Sequence, residues 1–206
     1  MRRWRPHAEQ VVTVVTKPQA APLRRLPGVE GIWVFVAADM AMFAILFVSF
    51  MQGRLAEPAL FEASRQTLDF NFGGINTLIL LTSSWLVALG VVAVRQGRAE
   101  RLPALLAAAL ACGLAFMVSK AIEYGGKLAA GITMLTNDFY MFYFTLTGIH
   151  LFHVTAGNVV LVVLWVKARN GAFTRDNCVT LECGATYWHM VDLLWIMLFP
   201  LLYLLR

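Results

Sequence analysis

Residues 31–51 read GIWVFVAADMAMFAILFVSFM, an apolar run interrupted by a single charge, Asp39. A run of about 20 such residues is what an α-helix needs to span the hydrocarbon of a bilayer. Four more runs follow, at 74–94, 103–124, 139–166 and 182–205. The fourth exceeds the ~20 residues required, so it tilts or extends past the bilayer. A transmembrane barrel would need segments of about 10 residues alternating apolar and polar, whereas these runs are apolar all round. The reading is all-α: a polytopic membrane protein with a five-transmembrane-helix bundle over residues 31–206.

Composition agrees. Of 206 residues, 59% are hydrophobic and 14% charged, and the mean hydropathy is +0.68. A soluble domain has about 45–50% apolar and about 25% charged residues. A soluble enzyme would lack the polar surface to cover itself, and disorder is excluded by the abundance of apolar side chains. The length suits one domain. Residues 1–30 form a basic N-terminal tail holding four of the seven prolines, with a charge suited to anionic headgroups. Its apolar stretch Val11 to Val15 is too short for a signal peptide and is broken by Thr13. It also lacks the Ser-rich amphipathic pattern of a transit peptide.

Of the 17 Lys and Arg residues, 12 fall on one side of the spans, in the tail, after the second run and after the fourth. Arg54, Arg65, Lys127 and Arg206 fall on the other, and Lys120 lies within the third run. This asymmetry predicts a cytoplasmic N-terminus and an outside C-terminus. It also accounts for the net charge of +5 without nucleic-acid binding, for which no basic aromatic-studded surface exists. The connection 52–73 is the longest, and its segment Leu60 to Leu68 suits a short interfacial helix. Phe139, Tyr140, Phe142, Tyr143 and Tyr203 read as an outer aromatic belt, with Trp33 and Trp165 at the inner ends. Cys112, Cys178 and Cys183 form no CxxC pair and read as plain thiols.

Ionisable groups within the runs carry the functional information, because each costs about 2.5–3.5 kcal/mol at a helix centre on insertion scales. Asp39 stands about 12 Å into the membrane by helix rise. His150 and His153 share a face with Thr147 and Gly157, and Gly157 would admit a neighbouring helix closely. Glu182, His189 and Asp192 share a face of the last run. Asp39, His150, His153, His189 and Asp192 fall at depths where they can meet in one buried zone. Such a zone fits a metal or haem site, a proton relay, or hydrogen bonds that fix helix packing. Lys120 and Glu123 are spaced to pair with each other or to snorkel outward. Asn76, Thr82, Ser83 and Ser84 suit backbone bonds or the holding of a neighbouring helix. No nucleophile triad, phosphate-cradling loop or nucleotide fingerprint occurs. The inverted repeats and broken helices of a small transporter are also missing.

These same residues carry a family pattern. Residues 147–157, TGIHLFHVTAG, resemble the "tGxHxxHVxxG" segment of cytochrome c oxidase subunit III. Residues 182–195, ECGATYWHMVDLLW, resemble that family's closing "ExxxxYWHxVDxxW" helix. NTLILLTSS at 76–84 resembles "NTxxLLxSS", Lys120, Glu123 and Tyr124 match "KxxEY", and GIWVF at 31–35 matches "GxWxF". The likeness runs in order from about Gly31 to Tyr203.

The resemblance implies a non-catalytic accessory subunit in a bacterial inner membrane, supporting assembly, stability or proton and gas supply. It implies that this chain has no catalytic residues and binds no metal. Asp39, His150, His153, Glu182, His189, Asp192, Lys120 and Glu123 are then buried polar residues with structural or proton-linked roles. Haem and copper, or non-haem iron, belong to a large catalytic partner, either a haem-copper oxidase or a nitric oxide reductase subunit. Membrane lipids surround the chain, and phospholipid is the one bound cofactor left open. Subunit III usually has seven helices, the first two forming one arm of a lipid-holding cleft; with five runs here, that site does not carry over. Asp39 stands where the family typically has glutamate. Both departures resemble the NorE branch associated with nitric oxide reductase, with a five-helix subunit III of a cytochrome c or quinol oxidase as the alternative.

Overall fold

The structure, a computed structural model, describes residues 28–175 and 177–205. The tail's first 27 residues and Arg206, which entered the charge comparison, lie outside the described residues. Six α-helices run through the rest: α1 (Glu30–Ala56), α2 (Pro58–Arg65), α3 (Phe70–Arg95), α4 (Leu102–Ala129), α5 (Asp138–Arg169) and α6 (Val179–Phe199). A 3₁₀ turn (Ala99–Arg101) leads into α4, and a π-helical turn (Pro200–Leu204) continues α6. Five helices are long and apolar enough to cross a membrane, so the chain is a multi-pass membrane protein; α2 is the sixth, short one.

Local chemistry sets the helix ends. The Asp69 carboxylate accepts from the backbone N–H of Asn71 at 2.9 Å and caps α3. Asn137 accepts from Tyr140 N–H at 3.0 Å and caps α5. Pro58 and Pro103 occupy first turns, where a missing N–H costs nothing. Gly97, Gly131 and Gly171 follow α3, α4 and α5 in left-handed conformations, with φ of +78°, +76° and +68°. Such C-terminal glycines turn the chain sharply, so consecutive spans lie antiparallel.

α3, α4, α5 and α6 form a ring in chain order, closed by α6 against α3, and α1 packs on the seam between α5 and α6. Half of the α6 apolar window is buried (50%), against 17% for α1, so α6 is the core helix and α1 the peripheral one. Small residues permit the close contacts. Trp188 of α6 is held between Gly113 of α4 and Gly157 of α5. A Cβ on those glycines would come within 2.9 and 2.7 Å of its ring. Gly157 thus admits a neighbouring helix, as its position on the histidine face suggested.

α2 covers one end of the ring. The expected interfacial helix begins at Pro58, two residues earlier than read, and buries Phe61 against Phe50 and Phe139. Arg65 pairs with Glu62 at 2.6 Å and also donates to the Tyr203 carbonyl. The guanidinium holds the partly exposed Glu62 carboxyl down to about 2. This cover corrects the aromatic belt. Phe139, Tyr140, Tyr143 and Tyr203 are at most 4% exposed, because α2 lies over Phe139 and the tyrosine hydroxyls are bonded inside.

Gly157→Leu drives a side chain into the Trp188 ring. We expect a loss of about 1–3 kcal/mol, the usual cost of overpacking, read as a lower unfolding midpoint of the purified chain in detergent. The exposed Gly125→Leu should leave the midpoint nearly unchanged.

Candidate functional site

The interior polar residues form separate clusters at different places in the ring. The first joins α1 to α5. His153 Nδ1–H donates to the Ile149 carbonyl at 2.9 Å, and its Nε2 meets Asp39 Oδ1 at 3.1 Å. A carbonyl can only accept, so Nδ1 carries a proton. The Asp39–Nε2 contact joins α1 to α5. Phe43 stacks edge-on against the imidazole, and Tyr187 O–H donates to the His153 carbonyl at 3.2 Å.

The second cluster joins α3 to α6. Arg95 donates to Glu182 at 2.7 Å, Ser84 Oγ meets His189 Nδ1 at 2.5 Å, Trp188 Nε1–H donates to Ser83 Oγ at 3.1 Å, and Trp195 Nε1–H donates to Thr77 Oγ1 at 3.0 Å. Partners descend α3 as they ascend α6, which is an antiparallel zipper. Ser83 also donates to the Ala109 carbonyl, tying in α4. Asp192, a turn further along α6, is buried, and its Oδ1 has no hydrogen-bond partner among the described residues. At the zipper's end, Glu182 accepts from the Gly28 N–H and the Cys178 thiol at 3.1 and 3.2 Å. Cys112, Cys178 and Cys183 are all free thiols.

The third cluster is the densest. Lys120 is 1% exposed and donates to Glu123 at 2.7 Å and to Tyr203 Oη at 3.0 Å. Tyr143 and Tyr203 each donate to the other Glu123 oxygen at 2.7 Å. The ammonium also stands 4.7 Å from the Trp195 ring centroid, a cation–π contact. The pairing of Lys120 with Glu123 was legible in their spacing, but the snorkelling alternative is corrected. The ammonium points inward because two tyrosines and a tryptophan give it partners there.

One buried zone uniting all five residues does not form. Asp39 meets His153, while His189 bonds α3 on the far side of α6. The intervening Trp188 fills the space between α5 and α6, and one residue along a helix turns the side chain by about 100°. His150 joins neither group. It is fully buried between the rings of Phe116 and Trp195, with both nitrogens unbonded. Asn76, also fully buried, is likewise unbonded.

This chain was compared with known proteins. The family model for cytochrome c oxidase subunit III matches residues 26–205. The chain belongs to that family. It is similar to cytochrome c oxidase subunit 3 of Synechocystis sp., with 34% identity over 85% of this chain and 74% of the relative. It is also similar to cytochrome c oxidase subunit 3 of Thermostichus vulcanus, with 30% identity over 86% of this chain and 87% of the relative. The cytochrome bo(3) ubiquinol oxidase subunit 3 of Pseudomonas aeruginosa is 27% identical over 86% and 84%.

In this subunit III chain, the three described imidazoles have different surroundings. Both His153 nitrogens are engaged, His189 Nδ1 is bonded to Ser84, and His150 is walled by rings. Among the described residues, no three His, Cys, Asp or Glu side chains converge on one point. Sequence reasoning missed Tyr143, Tyr203 and Trp195 as partners of the Lys120–Glu123 pair. Their aromatic character placed them at the membrane surface; the available signal was the seven-residue step from Trp188 to Trp195, which aligns both indoles on α3 hydroxyls.

Removing one member of a buried pair strands the other charge. We expect Glu123→Leu to cost about 3–5 kcal/mol and the double variant Lys120→Met/Glu123→Leu to recover most of it. Unfolding midpoints of the purified chain check both.

Proposed function

We propose that this subunit III chain is a non-catalytic accessory subunit packed beside the large catalytic subunit of a haem-copper oxidase. It sits in a bacterial inner membrane with its N-terminus cytoplasmic and C-terminus outside. Haem and copper belong to the partner, and this chain contributes assembly, stability or a supply of protons and gas. One observation carries the reading: Asp39, His153 and His189 bind neighbouring helices, in a chain whose relatives are named as oxidase subunits. The named relatives are bacterial, which supports the location. The predominance of basic residues beyond one set of span ends supports the orientation.

A second reading places the chain in the NorE branch, beside a nitric oxide reductase. The aspartate at position 39, bonded to His153, favours it. Shortness does not discriminate. The Thermostichus relative is 87% covered by a match of 178 residues, which leaves too little chain for two more spans.

Affinity purification of the tagged chain from native membrane, followed by mass spectrometry and optical spectra, tests this. A haem-copper oxidase subunit should co-purify, and haem absorbance should track it. A nitric oxide reductase subunit in its place selects the second reading. Stoichiometric haem or copper on the isolated chain would overturn both.

A further inference from the structure

At the end of the ring that α2 covers, a recess of about 300 Å³ opens between α3 and α4. Small-molecule sites commonly occupy about 300–1,000 Å³. Its wall is apolar where it continues toward the hydrocarbon, at Phe72 and Ile122, and Gly126 keeps it open. Its polar groups are Lys127, Asp69, Glu123 and Thr67.

Lys127 is the unexplained group. The residue is only 8% exposed, yet it forms no ion pair among the described residues. Its ammonium stands over the rings of Tyr143 and Tyr140, at 5.4 and 5.8 Å from their centroids. A nearly buried cation in a recess calls for an anion there. The nearby Glu123 already accepts from Lys120, Tyr143 and Tyr203, and it forms no ion pair with Lys127. Asp69 uses one oxygen, Oδ1, for both capping bonds to α3, leaving Oδ2 available.

We propose that this recess binds the headgroup of a zwitterionic phospholipid, phosphatidylethanolamine. The phosphate pairs with Lys127 and the ammonium approaches the free Asp69 oxygen, while an acyl chain leaves along Phe72 and Ile122. Three observations favour this occupant. Lys127 and Asp69 lie within a few residues of the ends of helices long and apolar enough to span a membrane. The lining charges balance once Glu123 is counted with Lys120, which suits a zwitterion over a net anion. The apolar wall matches a hydrocarbon chain.

Native mass spectrometry of the delipidated full-length chain tests the assignment. Phosphatidylethanolamine, phosphatidylglycerol and inorganic phosphate are titrated separately. One phosphatidylethanolamine should be retained. Lys127→Gln should weaken that binding about tenfold, the scale of one charge-assisted contact. Lys127→Arg should keep it, which also shows that the site tolerates substitution, and the exposed Lys167→Gln should leave it unchanged. Undiminished binding by Lys127→Gln would overturn the proposal. So would tighter binding of phosphatidylglycerol, or displacement of the lipid by equimolar inorganic phosphate.

Discussion

A buried carboxylate, Glu123, accepts three hydrogen bonds at once, from Lys120, Tyr143 and Tyr203. Hydrocarbon offers polar groups no partner, so a charge deep in the bundle is best paired inside the protein. At Glu123 that requirement draws on α4, on α5 and on the turn after α6. The cluster therefore fixes rotation and depth for three segments together. Trp195 caps the ammonium and leans on His150, which extends the constraint to the middle of the ring.

The same rule shapes α6. Its indoles and His189 carry polar atoms that apolar packing alone would strand, and α3 answers each with a hydroxyl. Apolar contacts hold helices in lipid only through close fit, since lipid tails are as apolar as leucine. Register must come from directional bonds, and the α3–α6 zipper supplies them. Trp188, wedged between two glycines, shows both devices at one residue: a tight fit for its ring and a bond for its nitrogen. Membership of the subunit III family fits such a scaffold. Asp39, His153, His189 and Glu182 serve there to join helices.

Much of this was legible in the chain. The five spans followed from run length, the Lys120–Glu123 pair from its three-residue step, and the histidine face from the same periodicity. Gly157 announced a close approach because no side chain blocks it. The single His/Asp zone was not there to be read. Depth along each helix placed five residues at similar levels, but nothing local told which way α5 and α6 were turned toward each other. The tyrosines at 143 and 203 misled for a related reason: their shared bonds to Glu123 depend on how α4, α5 and the turn after α6 pack together.

Five spans were legible in residue order alone, because a bilayer admits only segments that satisfy their own backbone. Which imidazole meets which carboxylate, and which aromatic ring lies inside, was decided by the assembled bundle. Helical periodicity assigns each side chain a direction relative to its own axis. The rotation and offset between axes come only from the packing of all the helices together.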